Sequence, residues 1–151
     1  MKIIKAIFIL YILLGTACNA QSMDLETVRV NYEKAASDKK LCQAMIEALR
    51  TNIESAVHMA YLGAFQTIWA KHTSNPISKL QTFKKGKRNI EDAVMSKPDN
   101  VEIRLLRLSV QSNCPSFLGY KKNIEEDKKF ILSNTKNITS VFLKEWMAVL
   151  I

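Results

Sequence analysis

The chain has 151 residues, of which 48% are hydrophobic and 24% are charged, and its formal net charge is +8. These proportions are ordinary for a globular domain and exclude a disordered or low-complexity chain. Glycine and proline are scarce, with four and three residues, so few tight turns are expected and helices are favoured. An excess of lysine keeps a small protein soluble. Outside the cytoplasm it also favours anionic lipid, glycan or acidic protein over nucleic acid as a partner.

The first twenty residues have the order of a secretory signal peptide. Lys2 and Lys5 precede an uninterrupted apolar run from Ala6 to Leu14, and small residues follow up to Ala20. The apolar run is shorter than the about 20 residues that cross a bilayer, and the order of charge, apolar core and small residues is typical of export. The sequence therefore predicts a signal peptide over 1–20 and a periplasmic or secreted protein.

The position of cleavage decides between a free and a tethered protein. Cleavage after Ala20 is favoured and leaves a mature chain that begins at Gln21, with a net charge of +6 instead of +8 because Lys2 and Lys5 are removed. Cleavage after Ala17 would leave Cys18 first, as in a bacterial lipoprotein, although a lipobox has a large apolar residue where Gly15 stands. A lipoprotein anchored in the membrane through Cys18 is therefore the alternative.

The mature chain, 21–151, has the length of a single domain. A chain of this size buries about two thirds of its unfolded surface, so it needs neither a metal nor a disulfide to fold. Cys42 and Cys114 remain after the signal, and in an oxidising compartment they can form one disulfide. The alternative, favoured by the apolar surroundings of Cys42, is that both are small buried side chains.

Helix-start signals predict the first three helices. The first helix covers about 24–36, and Ser37 caps a second helix that ends near Arg50. Thr51 and Glu54 form a capping box for a third helix that ends near His72.

Similar signals predict four more helices. Asn75 and Pro76 supply an N-cap and a first-turn proline for a fourth helix that runs to Ser96. Two further capping boxes, Asp99 with Glu102 and Asn123 with Glu126, open the fifth and sixth helices, and the last helix covers about 138–150. No stretch alternates with period two for long enough to indicate a strand. The predicted fold is all-α, with about seven helices in a hairpin array.

The apolar residues indicate which helices are central. The third helix is apolar around more than half of its circumference and the fifth is apolar on two faces, so both are predicted to be enclosed. The fourth is predicted to bury one face, and aromatic residues in the third and fourth helices are read as packing. The predicted buried face comprises Ile77, Leu80, Phe83, Ile90, Ala93 and Val94, and the aromatic residues are Tyr61, Phe65, Trp69 and Phe83.

Two apolar segments lie outside the regular pattern. The predicted loop 112–122 carries Phe117 and Tyr120, and apolar loop residues usually fold back over the core, the alternative being a binding lip. The last six residues, 146–151, are all apolar. Because an exposed tail of this kind would promote aggregation, this end is predicted to dock into the core or onto another subunit.

The fourth helix and the link that follows it resemble the second helix of a tetratricopeptide repeat. The matching residues are Gly86, Ile90, Ala93 and Pro98, and Leu62–Gly63 is similar to the Leu-Gly pair of the first helix of that repeat. The separation of Gly63 from Gly86 is longer than in the repeat. The resemblance implies an array of helical hairpins, a fold that usually holds peptides or partner proteins.

No residue pattern indicates catalysis. His58 follows Glu54 by four residues, so the two can share a helix face, but zinc takes about four ligands and a satisfied surface pair is favoured. His72 is predicted to lie at a helix end, where an imidazole suits the helix dipole. The chain has no G-x-S-x-G, P-loop or H-E-x-x-H motif, so no enzymatic activity, cofactor or metal is expected.

The strongest charge feature is the run Lys84, Lys85, Lys87 and Arg88. It fits a patch that binds anionic lipid or glycan. The favoured alternative is the solvated face of an amphipathic helix, partly neutralised by the following residues, Glu91 and Asp92.

Together these patterns predict an exported protein-interaction or structural module that binds an unidentified protein or peptide. One alternative is a protein that binds anionic membrane or glycan surfaces through residues 84–88. Another is a small helical enzyme, for which a concave pocket is expected near His58 or the 112–122 loop.

Overall fold

The computed structural model describes residues 23–151; the predicted signal peptide over 1–20 and the lipidation alternative at Cys18 lie outside the described residues. Residues 23–151 are all-α and contain no strand, which confirms the predicted fold class. The seven helices are α1 (Leu25–Lys34), α2 (Lys39–Thr51), α3 (Ala56–His72), α4 (Pro76–Ser96), α5 (Val101–Ser112), α6 (Ile124–Ser133) and α7 (Val141–Leu150). Short 3-10 turns occur at Ser116–Leu118 and Thr135–Asn137. Within 23–151, none of the helices combines the length and the apolar character needed to cross a membrane.

Polar side chains determine where five of the helices begin. Each accepts a hydrogen bond from the backbone N–H three residues later, at 2.9 to 3.3 Å, and so satisfies a donor that the first helical turn leaves free. These capping residues are Asp24, Asp38, Ser55, Asn75 and Asn100. The predicted start of α4, with Asn75 as the cap and Pro76 in the first turn, is confirmed.

Three other predicted caps were wrong by one to four residues. Asp38 caps α2 in place of Ser37, and Asn100 caps α5 in place of Asp99. Ser55 caps α3 in place of Thr51, because the Thr51 hydroxyl donates to the Ala48 carbonyl at 2.9 Å and thereby completes the last turn of α2.

The pair predicted as a capping box at the start of α6 forms in a different way. Asn123 directly precedes α6, but its side-chain amide donates to the Glu126 carboxylate at 2.8 Å and makes no bond to the backbone of the helix.

Helices α3 and α4 form a closely packed hairpin at the centre of the fold. Gly63 of α3 faces Gly86 of α4, and a Cβ atom built on either glycine would lie 2.5 Å from the carbonyl oxygen of the other. No real Cβ tolerates that distance, so the two backbones approach this closely because both residues are glycine. The predicted central position of α3 is confirmed, since eleven of its 17 residues are buried.

Helix α5 is enclosed as predicted, but the first turns of α4 are not. Phe83, Ile90, Ala93 and Val94 are buried, whereas Ile77 is 69% exposed and Leu80 is 41% exposed. The physical reason is length: α4 has 21 residues and α5, which follows it, has 12. At about 1.5 Å per residue, the start of α4 extends past the end of the helix that would cover it.

Two ion pairs, one partly buried and one buried, attach α5 to α1 and to α6. The Arg29 guanidinium donates twice to the Glu102 carboxylate at 2.7 Å, and the Tyr61 hydroxyl donates to the same carboxylate at 2.9 Å. Arg107 donates twice to Asp127, at 2.6 and 2.7 Å, and Asp127 is fully buried. Bidentate pairs of this kind fix the relative orientation of the helices that carry them.

Candidate binding site

A groove of about 740 Å³ opens where the ends of several helices converge. The carboxyl ends of α1, α3, α5 and α7 line it together with the first turns of α4 and the turn at 115–118. We refer to this concavity as the groove. Its size lies in the range of about 300 to 1,000 Å³ that is usual for small-molecule sites.

The polar atoms on the floor of the groove are engaged within the protein. The hydroxyls of Tyr32 and Ser109 lie 3.4 Å apart, and the Thr67 hydroxyl donates to the Ala64 carbonyl at 2.7 Å. The Cys114 thiol donates to the Pro115 carbonyl at 3.4 Å. The floor therefore offers a ligand mainly apolar contacts.

The ionisable groups of the floor are neutral at physiological pH. Burial raises the pKa of Tyr32 to about 12, outweighing the opposing effect of Ser109. Burial also raises the pKa of the Cys114 thiol above its ordinary value. Both side chains therefore keep their protons, which leaves the floor without formal charge.

Exposed apolar side chains extend the groove towards solvent. Leu80, Phe117 and Val149 line it and are 41%, 86% and 83% exposed. The prediction that the 112–122 loop folds back over the core holds for Tyr120, which is buried, but it was wrong for Phe117. Phe117 instead lies at the mouth, because its 3-10 turn ends at Gly119 with a positive φ of 63° and the chain then turns inward to Tyr120.

The charged residues that line the groove are Lys71, Lys79 and Glu33, and all three are exposed. None of them takes part in a salt bridge among residues 23–151. Lys71 lies in the last turn of α3 and Lys79 near the start of α4, so the two lysines flank the short link between these helices. The rim thus has two cations near one link and one carboxylate on α1.

The histidines lie away from any cluster of metal ligands. His58 is buried, with Nδ1 2.8 Å from the Ser55 hydroxyl and Nε2 3.0 Å from the Met23 carbonyl, so the predicted surface pair with Glu54 was wrong. His72 ends α3, and its Nε2 lies 2.9 Å from the Ala35 carbonyl just beyond α1. Within the described part of the chain, no group of three or more His, Cys, Asp and Glu side chains could hold a metal ion.

The basic run on α4 divides into two parts. Lys84, Lys85 and Arg88 are exposed, whereas Lys87 is half-buried with its ammonium 4.8 Å from the centre of the Tyr120 ring. Glu91, expected to neutralise the run, accepts hydrogen bonds from Tyr120 at 2.7 Å and from Arg107 at 3.2 Å. Glu91 is thus directed towards α5 and the loop that follows it, and the partial neutralisation of the run by Glu91 and Asp92 stays a prediction.

The residues that resemble a tetratricopeptide repeat lie along α4 and just after it. Gly86, Ile90 and Ala93 are buried, and Pro98 is exposed in the link to α5. Gly63 and Gly86, distant in sequence, face each other across the hairpin. These positions describe one close helical hairpin, and the resemblance to the repeat family stays a prediction.

Cys42 and Cys114 are free and buried in this structure. The Cys42 thiol lies 3.5 Å from the Phe65 carbonyl, and burial raises its pKa to about 12. Cys114 lies just after α5 and lines the groove. The disulfide between them stays a prediction.

Most of the groove was missed by sequence reasoning, although two signals pointed to it. The apolar loop 112–122 and the apolar carboxyl end, which contributes Trp146 and Val149, both line the groove. The convergence of the other helix ends has no local sequence signal. The fold and the groove together define an all-α domain with a concave apolar site.

Comparisons with protein-family models, with curated proteins and with solved structures gave no match for this chain.

Proposed function

We propose that this protein is an exported, non-catalytic helical binding module, and that the groove is where it binds the apolar part of a partner. The observation that carries the proposal is the groove itself, about 740 Å³ with an apolar floor and exposed apolar side chains at its mouth. Contiguous apolar surface at a concavity is typical of binding sites.

The chemistry of the floor supports binding rather than catalysis. A general acid or base works best with a pKa near the operating pH, whereas the pKa of Tyr32 is about 12 and that of Cys114 is also raised. The hydroxyls of Thr67 and Ser109 have neighbours within the protein. A specific turnover by the purified protein would contradict this part of the proposal.

The α3–α4 hairpin provides one wall of the groove. Thr67, Ile68 and Ala70 come from α3, and Phe83 comes from α4. Repeat folds built from stacked helical hairpins bind their partners on concave surfaces, and this supports the groove as the binding surface.

The proposal is tested by blocking the mouth of the groove and measuring the binding of Nile red, a neutral dye that fluoresces in apolar sites. Ala36 lines the groove and is exposed, so Ala36→Trp fills the mouth without disturbing the core. Ala44 is exposed on α2 and does not line the groove, so Ala44→Trp is the matched control.

We expect the unmodified chain and Ala44→Trp to bind the dye equally, and Ala36→Trp to bind it at least about tenfold more weakly. Circular dichroism checks that both variants are folded. Equal binding by all three proteins, or no binding by any of them, would overturn the assignment of the groove.

A second candidate is binding to anionic membrane or glycan surfaces, favoured by the exposure of Lys84, Lys85 and Arg88. These residues do not line the groove. Salt-sensitive binding to phosphatidylglycerol vesicles that is lost in the variant Lys84→Glu/Lys85→Glu would support it. Vesicle binding that is unchanged in the variant would show that Lys84 and Lys85 do not contribute to it.

A further inference from the structure

The floor of the groove is better suited to a hydrocarbon chain than to an extended peptide. A buried peptide would need partners for each backbone N–H and C=O group, and leaving such groups unpaired is costly. The Thr67 hydroxyl and the Cys114 thiol already donate their protons within the protein, and the hydroxyls of Tyr32 and Ser109 lie 3.4 Å apart, so the floor has few free donors for the C=O groups of a peptide. A hydrocarbon chain carries no polar groups, so it can occupy this floor without leaving any unpaired.

Aromatic side chains give the floor its apolar surface. Tyr32 and Trp146 pack edge to face with ring centres 5.2 Å apart, and both line the groove with Phe83. All three are buried, with exposed fractions of 8% or less. Their ring faces and edges make dispersion contacts with methylene groups that require no particular orientation of the chain.

The rim adds positive charge at one side of the mouth. Lys71 and Lys79 flank the α3–α4 link, are exposed, and have no salt-bridge partner among residues 23–151. Glu33 of α1 is the one carboxylate among the side chains that line the groove, so the lining carries one more positive than negative charge. Two lysines beside one link suit an anionic group that remains in water while its tail is buried.

We infer that the groove binds a single-chain amphiphile with an anionic head group, of the fatty-acid class. The hydrocarbon tail packs against Tyr32, Phe83 and Trp146, and the head group pairs with Lys71 and Lys79. Phe117 and Val149 cover the part of the tail nearest the mouth. This inference rests on the proposed binding function, because it names the ligand class of the same groove.

The test compares palmitate with cetyl alcohol, which has a similar tail and a neutral head. The chain has two tryptophans, and Trp146 lines the groove whereas Trp69 does not. In a Trp69→Phe background the fluorescence of Trp146 therefore reports binding directly. Both probes are titrated below the concentrations at which they aggregate.

We expect palmitate to bind at one site and about tenfold or more tightly than cetyl alcohol, because it adds charge-assisted hydrogen bonds. The variant Lys71→Met/Lys79→Met should reduce palmitate affinity to that of the alcohol and leave the affinity for the alcohol unchanged. Lys40→Met/Lys129→Met, which removes two exposed lysines outside the groove, is the matched control and should change neither affinity.

The outcomes separate this inference from the proposed function. Equal affinity for palmitate and cetyl alcohol, or tighter binding of cetyltrimethylammonium, would show that the groove does not prefer an anionic head group. If Nile red binds in the groove but no amphiphile does, the inference is wrong while the binding function stands, with an apolar segment of a protein as the occupant. If neither the dye nor palmitate binds, both are wrong.

Discussion

Gly63 and Gly86 show how two single residues set the distance between two helices. The carbonyl oxygen of each occupies the space that a Cβ atom on the other would need, at 2.5 Å. Because the obstructing atom is backbone and not the end of a flexible side chain, a substituted alanine can be accommodated only if α3 and α4 move apart.

We therefore predict that Gly63→Ala and Gly86→Ala each lower the free energy of unfolding by about 1 to 3 kcal/mol, the usual cost of overpacking. Helix propensity alone would predict the opposite, a gain of about 1 kcal/mol per substitution. Ala44→Gly, at an exposed position of α2, measures that propensity in the same protein. Urea denaturation gives all three values, and stabilisation by either glycine substitution would contradict the close approach.

Asp127 and Glu126 are neighbours in sequence, but their carboxylates differ in how far they are buried. Asp127 is fully buried and bonds Arg107 at 2.6 and 2.7 Å and Arg104 at 3.0 Å, whereas the Glu126 side chain is 56% exposed. Burial lowers the pKa of Arg107, but its hydrogen bonds and ion pair with Asp127 outweigh this effect and hold the guanidinium charged.

We predict that Asp127→Asn lowers the free energy of unfolding by about 3 kcal/mol. The variant removes the fully buried carboxylate that bonds Arg107 twice and leaves only the less buried Glu91 and Glu126 beside the guanidinium. Glu126→Gln is the matched control and should cost less than about 1 kcal/mol. The urea midpoint measures both changes, provided that the denaturant slope is unaltered. Equal losses of unfolding free energy in the two variants would show that the buried carboxylate stabilises the fold no more than the exposed one.

The buried tyrosines predict a loss of stability in alkaline solution. Burial raises the pKa of Tyr32 to about 12, and burial also raises the pKa values of Tyr61 and Tyr120. An unfolded tyrosine ionises near pH 10. Above that pH the folded state holds protons that the unfolded state has released, so stability falls as the pH rises through about 10.

For Tyr32 the stability lost by about pH 12 is at most about 3 kcal/mol. Tyr32→Phe should therefore show a shallower decline between about pH 9 and 11 than the unmodified chain. Urea midpoints measured across that interval test the prediction. Parallel curves for the two proteins would show that Tyr32 ionises equally in the folded and unfolded states.

At the scale of elements, α3 and α7 differ in how firmly they are held. Eleven of the 17 residues of α3 are buried, but only Leu143 and Trp146 are buried among the ten residues of α7. Segments with few buried apolar contacts open locally at low free energy. We predict that the backbone amide hydrogens of α3 exchange more slowly than those of α7.

The variant Trp146→Ala sharpens this prediction. Trp146 packs on Tyr32 and is 5% exposed, so its removal should speed the exchange of α7 further while α3 stays protected. Met95→Ala, at a side chain that is 72% exposed on α4, is the control and should change neither. Exchange that rises equally in α3 and α7 would mean that the two helices open only together.

The number and order of the helices could be predicted because the signals for them are local. Asn75 caps α4 and Pro76 lies in its first turn, so the signal for this helix lies within one turn. Because glycine is scarce, few tight turns are expected to interrupt the helices. Individual caps were less predictable, since two polar residues often compete. Thr51 has a cap-like spacing to Glu54, yet its hydroxyl bonds backward to Ala48 and Ser55 becomes the cap.

Which apolar residues are covered was harder to predict than where helices lie. Ile77 and Leu80 continue the stripe that buries Phe83, but α5 is too short to reach them. His58 likewise bonds Ser55 and the Met23 carbonyl, and the latter contact spans 35 residues of sequence. Contacts between distant segments depend on the lengths of the helices and on how they pack. The spacing of apolar residues within one helix does not predict either.

For the whole molecule, export and processing are predictions that intact mass spectrometry of the protein from its native host would test. We expect a mass that begins at Gln21, and the alternative is an acylated chain that begins at Cys18. A mass increase on reduction would establish the Cys42–Cys114 disulfide, whereas an unchanged mass would agree with the two free thiols of this structure. A chain that retains residues 1–20 in that sample would contradict cleavage of the signal.

The sequence by itself determined the fold class, the approximate bounds of the helices and the enclosed positions of α3 and α5. These features depend on caps and on apolar periodicity, which act over one or two helical turns. Only the tertiary structure decided that Gly63 meets Gly86, that Asp127 pairs with Arg107, and that several helix ends converge around the groove. These features join residues far apart in sequence, so they depend on how helices of unequal length pack together.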